Sequence, residues 1–209
     1  MKKKIFKKIV VASAIFMCFA LPASAQKGAV NMDLNYNYSF PLNHFNKDLI
    51  SNGSPRGFMA GVLYNFSDKL SGGLAFGFQD YYQKYPRQIY QLSKTQEISA
   101  VLSNSIQQTP VLLKARYFPA ISSFLKPYIS FGAGANIIDF KQYFGEFGNS
   151  QSNIGFRGEA GIGVMIPFKK TSSSGFNIGA SYDYSPYNKN GYKDLSSANI
   201  QAGIVFPLK

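Results

Sequence analysis

The chain has no tryptophan, one cysteine, one histidine and only 10 acidic residues among its 209. Its single cysteine, Cys18, excludes an internal disulfide. One histidine and one cysteine do not make the Cys/His cluster that holds a structural metal, and no glycine-rich loop opens a helix to bind phosphate. The sequence therefore predicts no metal site, no cofactor and no thiol chemistry.

Long hydrophobic runs are also missing. After the N-terminal region no segment has 18 consecutive apolar residues, which excludes a membrane protein built of helices. The N-terminal region itself has five early lysines, an apolar stretch from Ile9 to Leu21, and then Ala23-Ser24-Ala25. Because that stretch is too short to span a bilayer as a helix and is followed by small residues, we predict a signal peptide over residues 1–25. Export would follow the Sec pathway and leave a mature domain over residues 26–209.

The chain is instead rich in aromatic residues and glycine, with 19 phenylalanines, 14 tyrosines and 19 glycines. Residues 29–40 (AVNMDLNYNYSF) alternate strictly between apolar and polar side chains. Successive side chains of a β-strand point to opposite faces, so this segment predicts a strand with one apolar and one polar face. The apolar face holds Val30, Met32, Leu34, Tyr36, Tyr38 and Phe40, and the polar face holds Asn31, Asp33, Asn35, Asn37 and Ser39.

The same alternation recurs along the chain and predicts eight strands. Long polar connections follow the first, third, fifth and seventh strands, whereas short turns follow the second, fourth and sixth. A transmembrane barrel has short periplasmic turns and longer external loops, and an even number of strands brings both termini to the periplasm. We therefore predict an all-β, eight-stranded antiparallel up-and-down barrel. Its strands are expected at 29–40, 58–66, 70–78, 109–118, 127–140, 154–168, 175–184 and about 195–206.

The two faces of these strands differ in volume. A soluble, lipocalin-like barrel would show the same alternation with its apolar face inward. Here the polar face carries many glycines, among them Gly61, Gly73 and Gly161, while the apolar face carries bulky Phe, Tyr, Ile and Val. An eight-stranded barrel is only wide enough inside for its own side chains. We therefore predict that the apolar face contacts lipid and that the chain spans a Gram-negative outer membrane.

Two neighbouring segments carry a resemblance to known proteins. TPVLLKARYF (109–118) and LKPYISFGAGANI (125–137) are similar to the strand, proline and glycine-rich strand of the small outer-membrane β-barrel domain family. That family is related to the OmpA/OmpX-type barrels and includes porin-like and PorT-like members. The last alternating strand, with Phe206, is similar too. The resemblance covers the whole mature chain and implies a transmembrane barrel inserted by the outer-membrane assembly machinery. Its motifs specify architecture rather than activity.

Six charged residues fall on the polar face, and we expect them to point into the lumen. Their formal charges sum to zero, and strand direction places three in each half of the barrel, which predicts two neutral clusters. A low-dielectric interior penalises an unpaired charge, so we expect mutual pairing that plugs the lumen. An ion path through the same residues is the alternative. The periplasmic cluster is Asp33, Lys114 and Arg116, and the extracellular cluster is Arg157, Glu159 and Asp183.

A tyrosine-rich polar segment over residues 81–94 carries Lys84, Arg87 and Lys94. These cations are possible contacts for lipopolysaccharide phosphates through charge-assisted hydrogen bonds. The alternative is a solvated loop with interfacial tyrosines. Nucleic-acid binding is set aside because no groove-reading motif is present.

Catalysis would need a nucleophile, a base and an orienting acid within hydrogen-bond reach. His44, Asp48 and Ser51 would have to meet on one external loop, so we predict no catalytic residues and no enzyme. The sequence favours a non-enzymatic integral outer-membrane barrel with a structural or surface-interaction role. Its partners would be outer-membrane lipid and lipopolysaccharide. A narrow porin-like channel for small solutes is the alternative, followed by an enzyme that modifies lipid A.

Overall fold

The computed structural model describes residues 28–93, 96–120, 124–145, 147–169, 173–189 and 192–208. The predicted signal peptide at residues 1–25 lies outside the described residues. Within the described residues ten strands form, and eight of them close into an antiparallel barrel in which neighbouring barrel strands along the chain pair and the first pairs with the last. The eight-stranded barrel predicted from the alternation is confirmed.

At the turn end of the barrel, the strands begin and end close to the residues predicted from the sequence. The barrel strands are β1 (Val30–Pro41), β2 (Ser54–Asn65), β3 (Leu70–Ser93), β4 (Gln96–Tyr117), β5 (Lys126–Phe144), β6 (Phe147–Pro167), β7 (Gly175–Tyr184) and β10 (Ser197–Leu208). Between the last two, β8 (Pro186–Lys189) and β9 (Tyr192–Asp194) pair as a separate two-stranded sheet. This small sheet was not predicted.

The largest difference from the sequence prediction lies at the loop end. The stretches expected as polar loops, 83–105 and 141–153, largely continue as strands, because β3 pairs with β4 up to Ser93↔Gln96 and β5 pairs with β6 up to Phe144↔Phe147. A bulge interrupts β3 between Lys84 and Arg87. These strand ends lack a strict alternation of apolar and polar residues, so they carry no period-two signal, yet cross-strand hydrogen bonds still satisfy their backbones.

The two faces of the barrel are inverted relative to a soluble protein. On β1, Asp33 is 3% exposed while its neighbour Leu34 is 43% exposed. The same contrast recurs around the barrel, with buried Asn, Ser, Gln and charged side chains inside and large apolar side chains outside. The predicted outward apolar face is confirmed. Among the described residues no helix is long and apolar enough to cross a membrane.

Glycine makes room for the polar interior at one close approach. A Cβ on Gly61 of β2 would collide with the carboxylate of Asp33, which lies opposite it on β1. The absence of a side chain at this position lets that carboxylate lie against the barrel wall.

An apolar cluster fills the loop end of the barrel. Its centre is a π-helical turn, Phe45–Leu49, which the connection between β1 and β2 folds inward. The ring of Phe45 packs edge-on against Tyr81 of β3, with 4.7 Å between centroids. We call this the mouth cluster. Its members are Phe45, Leu49, Ile50, Tyr81, Ile106, Ile138, Phe140, Tyr187 and Leu195.

Hydrogen bonds hold this turn in place from two other strands. The hydroxyl of Tyr85 on β3 donates to the carbonyl of Leu49 at 2.9 Å, and the amide of Asn104 on β4 donates to the same carbonyl at 3.4 Å. The backbone N–H of Leu42 also donates to the carbonyl of Ser196 at 3.0 Å. The connection between β1 and β2 is therefore anchored on both sides of the barrel.

Candidate functional site

Three ion pairs occupy the lumen, and they involve all six of the charged residues singled out in the sequence. Arg116 Nη2 lies 2.5 Å from Asp33 Oδ2, and Lys114 Nζ lies 2.7 Å from Glu159 Oε1. Arg157 pairs with Asp183. All six side chains are buried. The structure thus places opposite charges together in the lumen, among neutral polar and apolar side chains.

The grouping differs from the two clusters expected. Lys114 was assigned to the periplasmic cluster and Glu159 to the extracellular one, yet they form one pair. The cross-strand register explains this, because Lys114 on β4 lies opposite Gly132 on β5, which in turn lies opposite Glu159 on β6. The strands of a barrel are tilted, so two residues assigned to different halves by their position along their strands can lie at the same height in the lumen.

A hydrogen-bond network extends from the Arg157–Asp183 pair around the loop half of the lumen. Arg157 Nη1 donates to Gln108 Oε1 at 3.1 Å, and Asn136 Nδ2 donates to the same oxygen at 3.0 Å. On the other side, Asn199 Nδ2 donates to Asp183. The network therefore joins β4, β5, β6, β7 and β10 just below the mouth cluster.

The turn half of the lumen is organised around Arg116. Its guanidinium carbon lies 4.5 Å from the centroid of the Tyr128 ring on β5, within the range of a cation–π contact. Leu63, Met165 and Val205 are buried at this end together with Tyr128. Both ends of the lumen thus contain apolar side chains, with the ion pairs between them.

The neutral members of this interior were not predicted as site residues from the sequence. Gln108, Asn136 and Asn199 carry no charge and were not among the predicted site residues, although each occupies an inward position of its strand. For Asn136 and Asn199 the alternation with apolar neighbours was the available signal, whereas Gln108 lies between Gln107 and Thr109 and gave none. Phe45 and Leu49 gave no such signal, because their position depends on the fold of a connection rather than on a strand.

Of the three residues weighed as a catalytic triad, His44 and Ser51 make no hydrogen bond to each other in the described part of the chain. His44 is exposed beside the mouth cluster. Ser51 donates its backbone N–H and its hydroxyl to Gln83 Oε1, at 2.5 and 3.1 Å. The side chain of Asp48 lies outside the described part. Within the described residues, no group of three His, Cys, Asp or Glu side chains is placed to hold a metal ion.

The predicted surface cations lie on the extension of β3 beyond β2. Lys84 and Arg87 are exposed and lie opposite Ser103 and Val101 of β4. Lys141 of β5 is partly exposed on the same extension, and it was not singled out in the sequence. Lys94 lies outside the described residues.

Comparison with known proteins adds the family. The model of the outer membrane protein beta-barrel domain matches residues 10–206. The chain belongs to the outer membrane protein beta-barrel domain family. It is therefore an outer-membrane barrel protein, as the sequence resemblance implied. A search of curated proteins finds no significant match.

Solved structures with similar folds are distant in sequence. Ail, the attachment invasion locus protein of Yersinia pestis, is 15% identical, with a TM-score of 0.46 over 86% of this chain and 99% of that one. OprG from Pseudomonas aeruginosa is 16% identical, with a TM-score of 0.48 over 88% and 98%. Neisserial surface protein A is 16% identical, with a TM-score of 0.47 over 86% and 96%.

Proposed function

We propose that this protein is a non-enzymatic outer-membrane barrel with a closed lumen and a structural or surface-interaction role. The observation that carries the proposal is the filling of the lumen: an apolar mouth cluster, three buried ion pairs and an apolar turn end follow one another along the barrel. An open pore would need a continuous polar path, and buried apolar side chains at both ends oppose one.

The ion pairs favour a structural role over an ion path. Arg116 on β4 and Asp33 on β1 are separated around the ring by β2 and β3, so their pair crosses the lumen. Each cation is within 4.0 Å of a carboxylate, which leaves no unpaired fixed charge among the six to attract a passing ion. Buried pairs of this kind hold opposite walls in register, because separating them exposes two charges to a low-dielectric interior.

A surface role is supported by the unequal heights of the strands. β3 and β4 run 24 and 22 residues, against 12 for β1 and β2. The loop halves of β3, β4, β5 and β6 therefore extend past their neighbours as a four-stranded sheet. With both termini in the periplasm, this sheet projects outside the cell, and the outer-membrane assembly machinery would insert the barrel in that orientation.

Lipopolysaccharide is the proposed lipid contact of this sheet. Lys84 and Arg87 stand on β3 and Lys141 on β5, and phosphate groups accept charge-assisted hydrogen bonds from such side chains. Binding of fluorescent lipopolysaccharide to purified protein tests this. The double variant Lys84→Gln/Arg87→Gln should weaken binding several-fold, and Lys69→Gln at the opposite end should not. Equal binding by both variants would remove this contact.

A narrow channel is the second candidate, and one observation favours it. Ser130 Oγ, Asn136 Oδ1 and Asn177 Oδ1 are buried without a hydrogen-bond partner in the described part of the chain, which is typical of groups that bind internal water. Proteoliposome swelling in arabinose separates the candidates. The closed barrel predicts the swelling rate of protein-free liposomes, whereas a channel would swell faster in proportion to protein content.

An enzyme that modifies lipid A is tested separately. Expression of the protein in a host lacking it should leave the lipid A mass spectrum unchanged. A new lipid A species that vanishes in His44→Ala would establish catalysis and overturn the non-enzymatic proposal.

A further inference from the structure

A shallow trough runs along β4 on the outward face of the projecting sheet. Its floor consists of two small, partly exposed side chains, Ser103 and Ser105. Each neighbouring strand places one tyrosine and one lysine opposite these serines, and the four are Tyr82 and Lys84 of β3 and Lys141 and Tyr143 of β5. Both walls of the trough therefore offer one aromatic ring and one cation.

The cross-strand register places the two lysines at diagonal corners of the trough. Lys84 lies opposite Ser103, whereas Lys141 lies opposite Ser105, two residues away along β4. With about 4.8 Å between strands and roughly 3.3 Å per residue, the Cα atoms of the lysines are about 12 Å apart. Two side chains of this length can converge on one anion held above the serines, as the ammonium groups of lysines do on a phosphate.

The two tyrosine rings leave the floor accessible. Tyr82 donates its hydroxyl to Ser103 Oγ at 3.5 Å, so the O–H of Ser103 can donate to an occupant. Tyr143 leans away from β4, because a Cβ on Gly148 of β6 would lie 2.7 Å from Tyr143 Cε1. The rings are 46% and 44% exposed. An exposed tyrosine offers an apolar face and a polar tip, which suits the C–H and O–H groups of a sugar.

The trough lies above the layer of lipid headgroups. On β3 the outward apolar side chains of the belt end at Phe78, six residues before Lys84, and on β5 they end at Ile137, four residues before Lys141. At roughly 3.3 Å per residue and a tilt of about 40°, the lysines stand about 15 and 10 Å above the belt. The polar layer on each side of a bilayer is only about 5–7 Å thick. A phosphate that reaches both lysines must therefore be carried beyond the headgroup.

Carboxylates occupy the headgroup level itself. Asp80 of β3 and Asp139 of β5 lie in one row across Gln107, directly below the trough. Arg56 of β2 is already engaged at this level, since its Nη1 lies 3.2 Å from Asp80 Oδ2. A lipid phosphate in this row would meet two like charges, whereas a phosphate above it meets two opposite charges.

We propose that this trough binds a phosphorylated sugar of the lipopolysaccharide core, with the phosphate between Lys84 and Lys141 and the sugar against the exposed tyrosines. This deepens the lipopolysaccharide contact proposed above and rests on it. Fluorescent lipopolysaccharides of two kinds test it with the folded protein in detergent. One carries phosphorylated core sugars, and the other is truncated so that only the phosphates of lipid A remain. The wild type should bind the first at least fivefold more tightly.

Two variants, each with a matched control, locate the preference. Lys84→Gln/Lys141→Gln should bring the ratio of the two affinities close to one, whereas Lys193→Gln, an exposed lysine of the separate β8–β9 sheet, should keep the wild-type ratio. Ser103→Phe fills the floor without changing the charge and should also abolish the preference. Ser99→Phe adds the same ring four residues away on the same face of β4 and should not. Gel mobility verifies that each variant is a folded barrel.

Three results would overturn the inference. Equal affinity of the wild type for the two lipopolysaccharides would overturn it and leave the lipopolysaccharide contact in place. Binding of neither would overturn both. A preference that persists in Lys84→Gln/Lys141→Gln and in folded Ser103→Phe would place the core sugar elsewhere on the protein.

Discussion

Lys114 of β4 reaches Glu159 of β6 across Gly132, the β5 residue that lies between them in the register. Both side chains are almost completely buried, so each charge is neutralised by the other and not by solvent. Removing one member should leave a buried, uncompensated charge. This arrangement makes the stability of the barrel sensitive to three positions in one row.

Lys114→Met should destabilise the barrel by about 3–5 kcal/mol, because it strands the Glu159 carboxylate in the lumen. Urea unfolding in phospholipid vesicles measures the free energy of unfolding. The double variant Lys114→Met/Glu159→Met removes both charges and should recover most of the loss. If the double variant is as unstable as the single one, the pair is not the cause.

Substitutions at Gly132 test the same ion pair by filling the space between its two members, without removing a charge. A Cβ at this position would lie 3.4 Å from Leu112 Cδ1 and 3.5 Å from Glu159 Cβ, which are ordinary contacts. Gly132→Ala should therefore change the free energy of unfolding by less than about 1 kcal/mol. Gly132→Leu puts a branched chain between Lys114 and Glu159 and should cost about as much as Lys114→Met. Equal costs of Gly132→Ala and Gly132→Leu would contradict the bridging geometry.

Phe45 should be the side chain that the mouth cluster depends on most. It is fully buried, and Phe45→Ala removes its edge-on contact with Tyr81, with an expected cost of about 3–5 kcal/mol. Lys47→Ala, an exposed change in the same turn, should stay within about 0.5 kcal/mol. Thermal unfolding followed by circular dichroism compares them. A harmless Phe45→Ala would mean that the turn does not close the mouth.

Leu113 and Ile89 form a matched pair that tests which surface faces lipid and which faces water. Their exposed fractions are nearly equal, 70% and 69%, but Leu113 lies in the apolar belt and Ile89 lies on the projecting sheet. Leu113→Arg should cost about 2–4 kcal/mol because the charge enters hydrocarbon. Ile89→Arg should be near neutral, since water already surrounds that side chain. Vesicle-based unfolding measures both, and similar costs at the two sites would argue against this membrane placement.

The sequence was sufficient to predict a strand and the direction of its side chains wherever one strand face meets lipid and the other meets the lumen. Residues 29–40 show this best, since the alternation from Val30 to Phe40 predicted both the strand and the inward position of Asp33. The extension of β3 past Tyr82 was not predictable in the same way, because both faces there meet water and the pattern disappears. Its backbone pairing with β4, rather than its side chains, keeps it extended.

The interior was predictable residue by residue but not pair by pair. The alternation identified Lys114 and Glu159 as inward, whereas their pairing depends on strand tilt and on the register across Gly132. The mouth cluster was beyond prediction for a different reason. Phe45 and Leu49 are buried by the fold of a connection, and connections carry no periodic signal.

Single-channel recording in planar lipid bilayers tests the closed lumen most directly. Membrane insertion is verified in the same preparation by protease protection, and an open porin serves as the positive control. With its mouth cluster and its three ion pairs intact, the wild-type barrel should give no steady conductance above that of the bare membrane. Discrete, sustained conductance steps from the inserted wild-type protein would contradict the account.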